Sequence, residues 1–151
     1  MESMTLQTYS FFYDRKATRA AYDNYSSSCV ELCPCSFCEN FNASRDEIYT
    51  AEFIQLLQTL GINHKQEAEV YHIKTCDNNK HLYGGWFHFV GRLNNSTRSN
   101  GQSAIEKVNI GENLKVFITD QTMLIDSAFQ NKPVLQLEFI VVVPWSIKET
   151  A

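Results

Sequence analysis

Four of the five cysteines in this chain, Cys29, Cys33, Cys35 and Cys38, fall within ten consecutive residues. Thiols this close have three chemical uses. The first is metal. Zinc is held by four sulfur or nitrogen ligands at about 2.0–2.3 Å, and a C-x-x-C turn directs two sulfurs to one point. Cys35-Ser36-Phe37-Cys38 is such a half-site, with Cys33 two residues before it and Cys29 four before that. No second C-x-x-C half-site follows, so the metal set is expected to be Cys29, Cys33, Cys35 and Cys38, with Cys76 or a histidine as substitutes for the fourth ligand. The run does not match the ferredoxin spacing of an iron–sulfur cluster. The second use is redox chemistry, in which a C-x-x-C at a helix start has one thiol activated by the positive end of the helix dipole. Cys35 and Cys38 would then serve a thiol-dependent redox enzyme, although a serine-rich loop, Ser26-Ser27-Ser28, stands where thioredoxin-like proteins have a buried strand. The third use is packing, since free cysteine behaves as a small hydrophobe. The spacing alone does not choose among them.

The histidines are His64, His72, His81 and His88, and the last three sit with Cys76 around one expected hairpin. On adjacent antiparallel strands His72 and His88 would face each other, with Glu69 near them. The segment from Leu82 to Gly91 is the densest in aromatics, and its paired Gly84-Gly85 marks either a bulge or a close approach of backbone. Alternation puts Trp86, His88 and Val90 on one side and Phe87 and Phe89 on the other. Trp86, His88 and His72 are therefore the expected ligand surface. No H-E-x-x-H, G-x-S-x-G, P-loop or G-x-G-x-x-G occurs, so no catalytic residue is assigned.

The elements that must carry these residues follow from periodicity. Ser44 followed by Glu47 has the form of a capping box, and Tyr49, Phe53, Leu56, Leu57 and Leu60 then share one helical face up to Gly61, a natural C-terminal cap. This predicts a helix from about residue 45 to 60. A short helix is expected within 14–25, after a strand carrying Tyr9, Phe11, Phe12 and Tyr13. From residue 66 the period changes to two, predicting strands at about 68–74, 81–91, 105–109, 114–119, 122–129 and 134–143. Leu135, Leu137, Phe139, Val141 and Val143 share one face of the last, which reads as a central strand half buried at its start and buried on both faces at its end. Turns at 119–122 and 130–133 predict hairpins. The polar stretch 94–102 reads as a projecting loop. The expected class is α+β: a mostly antiparallel β-sheet with one principal amphipathic helix packed on it, as a single domain over 1–151.

With 151 residues, 13 Lys+Arg against 17 Asp+Glu and a formal charge of −4, the chain lacks the basic excess of a nucleic-acid binder. Its longest strongly apolar run, 139–143, falls far short of the roughly 20 residues that span a bilayer. The first thirty residues hold no apolar signal core. A cytoplasmic protein is expected, without nucleic-acid or membrane partners.

The segment Cys33-Pro34-Cys35-Ser36-Phe37-Cys38-Glu39-Asn40-Phe41, the helix ending Leu60-Gly61-Ile62, and the strand Gly85-Trp86-Phe87-His88-Phe89-Val90-Gly91 resemble a group of small uncharacterised bacterial proteins. Those share a C-x-C-x-x-C-x-N-F segment and a G-W-[FY]-H-F-V-G strand over roughly residues 30–92. The group has no established activity. The resemblance implies only that the cysteines and the aromatic strand belong to one design. The expected function is an interaction or ligand-binding module, covered by a protein partner or a second copy, with structural zinc on its cysteines. A redox enzyme using Cys35 and Cys38 is the alternative.

Overall fold

The computed structural model describes residues 1–24, 33–94 and 107–147. Its strands are β1 (Glu2–Leu6), β2 (Tyr9–Tyr13), β3 (Glu69–Cys76), β4 (Lys80–Leu93), β5 (Val108–Asn109), β6 (Leu114–Thr119) and β7 (Val134–Pro144). Every pairing is antiparallel, in the order β1-β2-β4-β7-β6-β5, and β3 also pairs with β4. The helices are α1 (Arg15–Asp23), α2 (Ser36–Ile48) and α3 (Ala51–Leu60). The α+β class expected from the sequence is what the chain adopts. No helix among the described residues is long and apolar enough to cross a membrane.

The single helix expected over 45–60 is two. Ser44 does not cap a helix. It lies buried inside α2, its hydroxyl 2.9 Å from that of Ser146. The break falls at Tyr49, which leaves helical geometry while its hydroxyl donates to Glu67 at 2.7 Å. Thr50 then restarts the chain as the N-cap of α3, accepting from the Phe53 amide at 3.1 Å. Gly61 closes α3 as expected, at φ 87°, and a side chain there would strike the Arg15 carbonyl. The apolar stripe ran through the break because both helices lie on the same face of the sheet. Phe41 of α2 and Phe53 of α3 meet Phe139 at 6.2 and 5.9 Å between ring centres. Tyr49 meets the same ring edge-on.

β7 is central, between β4 and β6, and its residues 135, 137, 139, 141 and 143 form the floor of the core. Its burial runs opposite to expectation. On the other face Gln136 is buried at the start, whereas Ile140 and Val142 are half-buried at the end. The reason is the segment 120–133. Expected to contain a strand over 122–129 and a hairpin at 119–122, it is instead a strap across the sheet, with one turn of 3₁₀ helix at Ser127–Phe129. β6 and β7 pair directly with each other, so 122–129 is not a strand between them. The strap lies over Trp86, His88 and Gln136, through the hydrogen bonds described below.

β4 pairs with β3 over 80–86 and with β2 over 91–93, leaving a gap on that edge. The short helix α1 fills it. The Asp14 amide donates to the Val90 carbonyl, the Val90 amide to the Thr18 hydroxyl, and the Tyr22 hydroxyl to the His88 carbonyl, all at 2.8–2.9 Å. Buried strand groups that no neighbour pairs would each cost a desolvation penalty, and these bonds remove it. Gly84 and Gly85 mark close approach, not a bulge: the Tyr71 ring lies over the first, and the Glu69 carbonyl and Phe139 ring against the second. The irregularity sits in β3, between His72 and Lys74. Of the expected strand at 105–109, β5 takes the last two residues, while 105–106, the polar stretch from 95 onward and Cys29 lie outside the described residues.

Candidate metal centre

The cysteine run prepares the start of α2. Cys35 is the N-cap in extended geometry, and its Sγ accepts from the Cys38 amide at 3.4 Å, as a serine oxygen would in that position. The helical turn brings Cys38 back toward Cys35. Cys33, two residues ahead of the N-cap, adds its thiol, which donates to Cys35 Sγ at 3.3 Å. The three sulfurs all lie within 4.8 Å of one another. Thiolates around one tetrahedral zinc stand about 3.8 Å apart, given a Zn–S distance of about 2.3 Å. The three cysteines can hold a metal ion.

Electrostatics separate the thiols. The Cys38 amide and the Cys33 thiol both point at Cys35, holding its thiol below the ordinary range, and its residue is exposed. Burial pushes the Cys38 thiol far up. A thiolate is thus favoured first at Cys35, where the amide of the opening helical turn meets it.

The centre is fixed to the sheet by the residues between and after the cysteines. The Phe37 carbonyl accepts from the Tyr83 hydroxyl at 2.8 Å, and burial pushes that phenol up to about 12. The Phe37 ring stacks on His72 with centres 4.1 Å apart and meets Trp145 edge-on. Asn40, fully buried, donates to the Pro144 carbonyl at 3.1 Å and accepts from the Ser146 amide at 2.8 Å, tying α2 to the end of β7. Asn40 and Phe41 are the two residues of the C-x-N-F segment that make the helix dock.

The histidines are arranged differently from expectation. His72 faces His81, not His88: its Nε2 lies 2.9 Å from His81 Nδ1. The bulge in β3 and the register that sets His72 opposite Tyr83 put this pair on the helix-covered face. His88 lies on the opposite face, its Nε2 2.9 Å from Gln136 Oε1. Glu69 joins neither and accepts from the Val70 amide. Among the described residues no histidine is hydrogen-bonded to Cys35 or Cys38. Cys76, at the end of β3, is outside the sulfur cluster. His64 reaches toward Asp46 at 3.9 Å.

The expected ligand surface is divided the same way. Trp86 is 8% exposed and His88 is fully buried, both under the strap, where the Trp86 indole donates to the Met123 carbonyl at 3.2 Å and the Met123 amide to Gln136 Oε1 at 2.9 Å. His72 is on the other side of the sheet. What lies exposed near Trp86 is instead Tyr71, its ring centre 6.1 Å away, with Met123, Leu124 and Ile125 of the strap and Ile73 farther along β3. The histidine pair and the strap had no sequence motif. Each depends on register between distant strands.

The chain matches no protein-family model, no curated protein and no solved structure. The functional reading rests on its own geometry.

Proposed function

We propose that this protein is a small interaction module carrying a structural zinc site, with Cys33, Cys35 and Cys38 as ligands and Cys29, the remaining cysteine of the run, as the fourth. The observation that carries the reading is the convergence of three sulfurs on the first turn of α2. An all-thiolate donor set favours zinc over the oxygen-seeking cations. The role is structural because the centre would clamp the chain ahead of α2 onto a helix that Asn40 and Phe41 already bind to the sheet. A thiol nucleophile is activated by an adjacent base or by a lowered pKa, and among the described residues no histidine base stands beside Cys35 or Cys38. The imidazoles here bond to each other and to Gln136 instead. The interaction surface is the exposed apolar group Tyr71, Ile73, Met123, Leu124 and Ile125, which a protein partner or a second copy would cover.

Elemental analysis of protein purified without chelators tests the site, with Cys35→Ser and Cys38→Ser as controls. Cobalt substitution counts the thiolates by their charge-transfer absorption. A preparation free of metal that also rejects cobalt would refute the site. Light scattering across a concentration series, on wild type and Leu124→Glu, tests whether the apolar group joins two copies.

A further inference from the structure

We infer that Cys33 and Cys35 form a peroxide-sensitive switch on this centre: oxidation joins their two sulfurs and withdraws both thiolates from the metal. The consequence for metal rests on the zinc reading above, but the pairing rests on geometry alone. Cys33 Sγ and Cys35 Sγ are 3.3 Å apart. A disulfide needs them at about 2.05 Å. Cys33 lies ahead of α2 in chain without regular structure, so it can close that distance without unwinding a helical turn. Cys38 is differently placed. It sits inside the first turn, with its amide already donated to Cys35 Sγ and its side chain half-buried among the residues that dock the helix. Cys35 is the exposed member of the three, and its sulfur is the one a peroxide reaches first.

The chemistry balances with peroxide as the oxidant. The Cys35 thiolate attacks one peroxide oxygen and the O–O bond breaks. Hydroxide leaves, and Cys35 becomes a sulfenic acid. The Cys33 thiolate then attacks the Cys35 sulfur, the S–O bond breaks, and a second hydroxide leaves as the S–S bond forms. Two thiolates lose one electron each and the peroxide gains both. With two protons from solvent, the products are one disulfide and two waters. A centre left with Cys38 and Cys29 alone lacks the four ligands of a structural zinc site.

The test uses the full chain, titrated with hydrogen peroxide while a chromogenic chelator reports released zinc. Cleavage after glutamate, at Glu31 and Glu39, gives a peptide of residues 32–39 holding Cys33, Cys35 and Cys38. Alkylation followed by fragmentation then locates the bonded pair. The expected result is loss of two alkylatable thiols per chain, at Cys33 and Cys35, with Cys38 still alkylated, zinc released in step, and both effects reversed by dithiothreitol. Cys33→Ser should leave Cys35 as a sulfenic acid that a dimedone probe traps. A Cys35–Cys38 bond, or zinc retained through full thiol loss, overturns the switch and leaves the metal site standing. A Cys33–Cys35 bond in protein that never holds zinc overturns the metal reading and leaves the pairing.

Discussion

Replacing Glu67 with glutamine removes one charge from the most enclosed ion pair among the described residues. Arg45 of α2 donates from Nε and from a terminal nitrogen to the two Glu67 oxygens, each at 2.8 Å, and the Tyr49 hydroxyl adds a third bond at 2.7 Å. The two side chains are 6% and 0% exposed. Glutamine keeps one acceptor but turns an N–H₂ toward a guanidinium that can only donate. Breaking a buried pair by removing one partner costs about 3–5 kcal/mol, because the remaining charge stays desolvated. At about 2–4 °C per kcal/mol for a chain of this size, the melting temperature should fall by about 6–20 °C. Thermal unfolding followed by circular dichroism reads this directly. Arg45→Met combined with Glu67→Met removes both charges at similar volume and should recover most of the loss. A Glu67→Gln melting point within about 2 °C of wild type would refute the enclosure of the pair. A double variant no better than the single one would show that shape, not charge, sets the cost.

Two further predictions concern the sheet. Gly85→Ala places a methyl 2.5 Å from the Glu69 carbonyl and 2.6 Å from the Phe139 ring, so backbone must move, at a cost of about 1–3 kcal/mol in a denaturant titration. For Gly84→Ala the three nearest atoms all belong to the Tyr71 side chain, which is 42% exposed and can give way, so it should cost less; the reverse order would contradict the packing. Burial holds His88 below its ordinary value of 6.5, so the unfolded chain takes up this proton first as pH falls. The stability tied to His88 is therefore full above that value and declines as the pH drops from it toward the lower folded value. His88→Gln, titrated with urea at several pH values from 7.5 to 5, should lose less stability on acidification than wild type. An equal slope in both would remove His88 as the cause.

The antiparallel sheet and its buried face were legible because alternation records burial directly. Leu135, Leu137, Phe139, Val141 and Val143 had one reading, and the fold bears it out. The helix break was hidden because the apolar stripe continues through it. Thr50, followed by Glu52 in the first turn, was the available sign of a second N-cap, but Ser44 and Glu47 offered a competing motif. The strap over 122–129 could not be separated from a strand. Met123, Leu124 and Ile125 are apolar, yet exposed, and the direct pairing of β6 with β7 leaves them no place between those two strands. At the sulfur cluster, the C-x-C-x-x-C spacing already implied convergence, since a helical turn must bring Cys38 back to Cys35. The histidine pair was not readable. The expected partner of His72 was His88, and the register fixed by β3 and β4 chose His81.

The central claim is that Cys33, Cys35 and Cys38 hold a metal, and the most direct measurement is metal content per chain by plasma mass spectrometry with thiol reactivity read in parallel. The account predicts about one zinc per chain, with cysteines that alkylate slowly until EDTA is added and rapidly afterwards. Metal-free protein whose thiols react at the same rate with and without EDTA, and which takes up no zinc when it is supplied, would contradict it.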